Sequence, residues 1–331
     1  MLAAACGASG PKPAPGVVVP EGFVATVYTD GFVGPTQMVR GPGGDLFIAE
    51  LNGRENDATG RVLRVDAEDP SERTVLQTDL NKPTGIAIAG DRLWIMEQRR
   101  LSVTTLEPEA PLDVVIDEMP FNGRSQGTLT LTPSGQLLFD TSGSKRGPDR
   151  VDGSGTIFAI GDAAAGFSEP TIIATGFKHA YTQLVDGDGQ LWTVEMSDGN
   201  FDGERAPDEL VAISTGDDGG WPQCVGDNRV VVELGGTEQL CSASPPSHAL
   251  FGVGATPTSL VLAPWDADTF IASLWLPGTV VTVPRPAGDE PHEPVVFVEG
   301  IESPQHLLVD GDRLLVSDHA TGQILAISKT E

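Results

Sequence analysis

The segment Asp198-Gly199-Asn200-Phe201-Asp202-Gly203-Glu204-Arg205-Ala206-Pro207-Asp208-Glu209 carries oxygen donors at its first, third, fifth and twelfth positions and a glycine at its sixth. This spacing suits a hard cation: short oxygen ligands, a sharp turn at the glycine and a bidentate carboxylate at the end. No helical periodicity flanks it, and Arg205 stands where helix-flanked calcium loops are apolar. The expectation is a calcium loop between strands, with Asp198, Asn200, Asp202 and Glu209 as ligands and Glu195 just upstream; the plain alternative is an acidic, solvated loop. Asp186-Gly187-Asp188-Gly189 reads as a hairpin turn, because its twelfth position is Ser197.

A second set of acids ends short apolar runs: Glu50 after Leu46-Phe47-Ile48-Ala49, Glu97 after Leu93-Trp94-Ile95-Met96, Asp140 after Leu137-Leu138-Phe139, Glu195 after Leu191-Trp192-Thr193-Val194, and Asp318 after Leu314-Leu315-Val316-Ser317. Ser273 takes the equivalent place after Phe270-Ile271-Ala272. His179 and His306 open the segments that precede two of these runs and are the candidate catalytic bases. Lys178 and Arg124 stand out as cations in an acidic chain and are candidates to hold an anionic ligand.

These residues need elements to position them, and the runs supply the pattern. Each is preceded by a Gly- or Pro-marked turn, a short apolar strand and a tight turn, and the pattern recurs six times, roughly every 45 to 55 residues with one interval of roughly 80. Periods of that length, with four short strands each, predict an all-β, six-bladed β-propeller. The last copy has a single strand left after its acid, Gln323-Ile324-Leu325-Ala326-Ile327, and the N-terminal Phe23-Val24-Ala25-Thr26-Val27-Tyr28 is unassigned. Pairing the two closes the ring and removes exposed edges. The strand-terminal acids then fall on one mouth of the axial tunnel, where a ring of carboxylates holds a cation or polar ligand, or each acid caps neighbouring backbone amides. The predicted organisation is a lead and tether over 1–19 and a single propeller over 20–331, with a long insertion in the fourth blade over about 196–252.

The chain has 331 residues, 40 of them Gly and 26 Pro, with 47 Asp+Glu against 20 Lys+Arg and a net charge of −27. Such a charge excludes wrapping a nucleic acid by counterion release, and no apolar stretch is long enough for a membrane-spanning helix. Met1-Leu2-Ala3-Ala4-Ala5-Cys6-Gly7 looks like the end of a bacterial lipoprotein signal, with Cys6 as the lipid-bearing residue, and the Pro/Gly-rich residues that follow make a tether. Cys224 and Cys241 lack the partners a zinc site needs and suit a disulfide, which fits an extracytoplasmic, cell-surface or periplasmic location.

The repeats, the closure, and Pro207-Asp208-Glu209-Leu210 leading to Gly219-Gly220-Trp221-Pro222-Gln223-Cys224 resemble the soluble glucose/sorbosone dehydrogenases, quinoproteins on a six-bladed propeller. The resemblance implies pyrroloquinoline quinone (PQQ) over the tunnel, bound through calcium, and oxidation of a small sugar-like substrate with a His base by a monomeric chain. It implies that Asp318 contacts the quinone and that the Glu195–Glu209 segment is the calcium loop. Two departures stand out. Counted from Pro133, the catalytic His position is Arg124, which stays charged at neutral pH. The Arg-Asn-Pro that grips the quinone is Lys178-His179-Ala180. Either His179 has taken over as base or the family reaction is lost; a calcium-dependent lactonase using His306 and a non-catalytic surface-binding propeller are the alternatives.

Overall fold

The computed structural model describes residues 12–120, 126–142, 151–197 and 199–330. Six antiparallel sheets, five of four strands and one of five, make up the blades. Blade one is Pro35–Arg40, Leu46–Glu50, Gly60–Val65 and Arg73–Leu80; blade two is Gly85–Ala89, Arg92–Met96, Leu101–Thr105 and Asp113–Ile116. Blade three runs Thr130–Leu131, Leu137–Thr141, Thr156–Ile160, Thr171–Ala174, and blade four Ala180–Val185, Leu191–Glu195, Glu209–Ile213, Ser247–Leu250. Blade five is Pro257–Ala263, Asp266–Leu274, Thr279–Pro284 and Val295–Val298. Blade six takes Pro304–Asp310, Arg313–Asp318 and Gln323–Lys329 from the end of the chain and Phe23–Thr29 from its beginning, in antiparallel register from Phe23↔Lys329 to Thr29↔Ile324. The ring is closed as the unassigned strands predicted.

Each blade packs on both faces, which is why its second strand is apolar at nearly every position rather than alternating; Leu46–Glu50 is buried throughout. The core is accordingly a set of layers between blades. Met38, Ile48 and Leu63 of blade one meet Leu315, Ile324 and Ala326 of blade six, and Trp94 and Met96 of blade two meet Leu137 and Phe139 of blade three.

Two segments depart from expectation. Lys12–Pro13 adds a fifth strand outside Phe23–Thr29, Ala14 is buried in the layer between blades five and six, and Val18 bridges to Glu299. Residues 12–19 are thus packed on the rim rather than serving as a free tether; Cys6 lies outside the described residues. The expected blade-four insertion over 196–252 contains that blade's third and fourth strands, with two excursions around them. The second excursion is closed by the Cys224–Cys241 disulfide, and its Trp221, Val225 and Val231 share a small core with Phe201 and Ala206 of the first.

Candidate functional site

The strand-terminal acids do not form a ring around a cation: each folds back on its own blade. Glu50 accepts from the Val33 backbone N–H at 2.8 Å, Glu97 from Asn81 at 2.6 Å, Asp140 from Gly127 at 2.8 Å, Glu195 from Lys178 at 2.7 Å and Asp318 from Ser303 at 3.0 Å. In blade five Ser273 Oγ bonds Thr258 Oγ1 at 3.0 Å. The acid at the end of strand two thus latches the turn that leads into strand one, satisfying backbone donors that burial would leave unpaired. Asp318 also accepts from Glu302 and Ala320 and, like Lys178, is not among the residues that line the tunnel-mouth cavity.

The cation loop is likewise not assembled among the described residues. Asp202 spends its carboxylate on the Val232 and Glu233 N–H groups at 2.9 and 3.2 Å, and Asn200 is exposed on a short hairpin. Glu195 and Glu209 are direct cross-strand partners, and both line a small cleft with Asn228. Glu209 accepts a hydrogen bond from Ser247 Oγ, and burial pushes its carboxyl up to about 7. Among the described residues no three His, Cys, Asp or Glu side chains come together to hold a metal ion. Asp198 lies outside them, as does Arg124. The described donors do not fit a calcium site.

What the first strands do build is a tunnel with a cavity at each end. Gln37 lines one of them and ties three blades together, its Nε2 donating to Leu129 O at 2.7 Å while its Oε1 accepts from Ile86 and Leu129 N–H at 2.8 and 3.0 Å. His306 faces the end where strand one finishes, a cavity of about 290 Å³ shared with Met38, Arg40, Gln183 and Leu308. Its Nδ1 accepts from Met38 N–H at 3.4 Å, and burial pushes its pKa down to about 3, so the ring stays neutral. The structure therefore separates His306 from His179.

His179 lines the other cavity, about 300 Å³, at the mouth where strand one begins and strand two ends. Blades one, two, four, five and six contribute to it, among them Thr36, Lys82, Thr84, Tyr181, Trp275, Gln305 and His319. His179 Nε2 lies 3.7 Å from Asp140 Oδ2, and its ring packs edge-on against Tyr181 with centroids 5.1 Å apart. Tyr181 Oη accepts from Gln305 Nε2 at 2.7 Å. The close packing behind this pair requires Gly127: a Cβ there would lie 1.9 Å from Tyr181 O and 2.4 Å from Asp140 Oδ1. Burial pushes the Asp140 carboxyl up to about 8.

His319 is the imidazole that the pattern reading left out of the catalytic pair. Its Nδ1 donates to Pro35 O at 3.2 Å, leaving Nε2 as the lone-pair nitrogen of a ring that lines the cavity. Burial, acting against the hydrogen bond to Pro35, lowers its pKa and keeps it an unprotonated acceptor. By contrast both ring nitrogens of His179 are closed to solvent. Two polar atoms that line or border the cavity, Thr84 Oγ1 and Trp275 Nε1, are buried without a hydrogen-bond partner among the described residues.

No family model and no curated protein matches the chain. Solved structures do. A calcium structure of the Trichoderma reesei carbohydrate-active enzyme of family AA12 superposes with a TM-score of 0.81 at 17% identity, covering 96% of this chain and 98% of that one. The fold is one shared with PQQ-dependent sugar dehydrogenases. The holo PQQ domain of pyranose dehydrogenase from Coprinopsis cinerea gives 0.78 at 16%, covering 96% and 98%. A gluconolactonase from Xanthomonas campestris gives 0.63 at 14%, covering 97% and 98%.

Proposed function

We propose that the chain is a quinoprotein-type, sugar-oxidising propeller acting outside the cytoplasm on a small sugar-like molecule in the tunnel-mouth cavity. The observation that carries this reading is the cavity's donor set: Lys82, Thr84 Oγ1 and Trp275 Nε1 point to an acceptor-rich ligand, beside an imidazole whose free nitrogen can take a proton. A quinone with carboxylates is such a ligand, so these residues fit PQQ and would hold it. When bound, PQQ supplies the two-electron acceptor that the protein's side chains lack.

The chain's own part is proton handling and orientation. His319 Nε2 takes the proton from the sugar hydroxyl, its tautomer fixed by Pro35 O. His179, backed by Asp140 and Tyr181, forms the sealed polar floor that fixes the cavity's shape. The lactonase reading is the weaker one, because it asks the axial carboxylates to hold a calcium ion and each of them already accepts from a backbone N–H of its own blade. The disulfide supports an oxidising compartment; the assignment of monomer and of a lipid anchor at Cys6 belongs to this same reading. The test is a dye-reduction assay over a panel of aldoses with added PQQ, with and without calcium. His319→Gln is expected to lower kcat by about a hundredfold or more, and a variant as active as the wild type removes His319 as proton acceptor.

A further inference from the structure

We propose that Lys82 and Thr84 form a carboxylate-binding corner of the tunnel-mouth cavity, and that Glu55 occupies Lys82 as a built-in competitor which an anionic ligand displaces. The inference rests on the sugar-oxidising reading only for the identity of one of its ligands.

Lys82 and Glu55 form an ion pair across the rim, and they are unequal partners: the lysine side chain is 14% exposed and the glutamate 63%. Among the described residues that line the cavity, Lys82 carries the one fixed positive charge and Glu55 the one fixed negative charge. An ammonium taken so far out of water needs a counter-charge. Here that charge comes from residues 53–59 of blade one, a solvent-exposed excursion that also makes a 3.4 Å hydrogen bond to blade two, from Gln98 Nε2 to Asn56 Oδ1.

The lysine, in contrast, is fixed. Its backbone stands at φ 52°, a left-handed conformation that side-chain-bearing residues rarely adopt. The turn is held there by the Asn81 N–H donating to Glu97 at 2.6 Å and by the Gln98 N–H donating to Asn81 O at 3.0 Å. The fold thus holds the lysine backbone at the cavity rim against local preference, while its partner sits on an exposed arm.

Thr84 follows two residues later, is 3% exposed, and has a hydroxyl without a partner among the described residues. An unused buried donor beside a positive charge is complemented by an acceptor that carries negative charge. A neutral sugar hydroxyl can accept from Thr84, but it cannot replace Glu55 on Lys82. The ligand class is therefore a small polar molecule bearing a carboxylate, either the quinone itself or an acidic sugar.

Calorimetric titration of the purified full chain separates the two sources, using PQQ and D-glucuronate as carboxylate probes and D-glucose as the neutral control. Glu55→Gln removes the competitor and is expected to tighten at least one carboxylate probe about three- to tenfold; Lys82→Met is expected to weaken the same probe roughly tenfold, with glucose unchanged within about twofold. Effects of opposite sign cannot both arise from partial unfolding. Glucuronate following this pattern while PQQ fails to bind supports the corner and sinks the quinone reading. PQQ binding that ignores both substitutions leaves the quinone reading standing and overturns the corner if glucuronate ignores them too. The corner is also overturned if glucose shifts in parallel with the carboxylates, or if neither carboxylate probe binds the wild-type chain.

Discussion

Asp140 Oδ2 and His179 Nε2 face each other at 3.7 Å from adjoining blades, a distance beyond hydrogen bonding but within reach of a charge interaction. Asp140 is the penultimate residue of the second strand of blade three, and His179 sits on the turn leading into blade four. Because burial pushes the carboxyl up to about 8, Asp140 is not a fixed negative charge facing His179 near neutrality.

That shift makes a stability prediction with a definite sign. The folded carboxyl keeps its proton to about 8, whereas the unfolded one releases it near its ordinary 3.8. The fold therefore binds more protons than the unfolded chain across that window, and stability falls as pH rises through it. Asp140→Asn keeps an acceptor for the Gly127 N–H and removes the titration. Thermal melts are expected to show the variant gaining over the wild type at about pH 9 and matching it at about pH 4. A variant that loses stability equally at both ends contradicts a neutral Asp140.

His319 offers an independent reading of the same cavity. Its pKa is lowered chiefly by burial; Glu55 and Asp318 act to raise it and Lys82 to lower it. Ring-proton NMR is expected to find it titrating below the ordinary 6.5, lower still in Glu55→Gln and higher in Lys82→Met. An unshifted titration in all three chains means that the ring is solvated and not part of the cavity.

The latching role of the acids predicts how they fail. Asp318→Ala leaves the Glu302, Ser303 and Ala320 N–H groups without their acceptor, which is expected to cost about 1–3 kcal/mol in chemical denaturation. Asp318→Asn, which keeps one oxygen, is expected to lose less. Chelator is expected to leave the melting temperature of the wild type unchanged, since each of these carboxylates latches a backbone N–H of its own blade; a large drop would restore the cation ring.

Replacing Cys224 and Cys241 together by Ser opens a loop with a sequence separation of 17. The loop-entropy account puts the loss at roughly 3 kcal/mol. The same loss is expected on reduction of the wild type, measured by denaturation with and without a reductant, and an unchanged midpoint would mean that the small core around Trp221 holds the excursion unaided.

The blades were legible in the sequence because propeller strands repeat: Leu46, Leu93, Leu137, Leu191, Phe270 and Leu314 begin or initiate the packed part of equivalent second strands, and the leftover Phe23–Thr29 had one place to go. The sequence places the acids at strand ends but leaves open a cation ring or backbone capping, because it marks where a carboxylate sits and not which N–H group it meets. Ligand spacing alone likewise does not say where a carboxylate points: Asp202 turns to Val232 and Glu233 in the disulfide-closed excursion, and Asp198 lies outside the described residues. The cavity itself was hardly visible. Its residues come from five blades, and Lys82 lies inside Leu80-Asn81-Lys82-Pro83, which reads as repeat punctuation.

The central claim is that the tunnel-mouth cavity takes an acceptor-rich quinone and passes it the electrons of a sugar. The most direct measurement is the absorbance of the full chain after mixing with PQQ and calcium and removal of free quinone by gel filtration, followed by anaerobic addition of an aldose. The account predicts retained quinone at about one per chain, bleached by the sugar in the wild type and far more slowly in His319→Gln. A chain that elutes without quinone contradicts it.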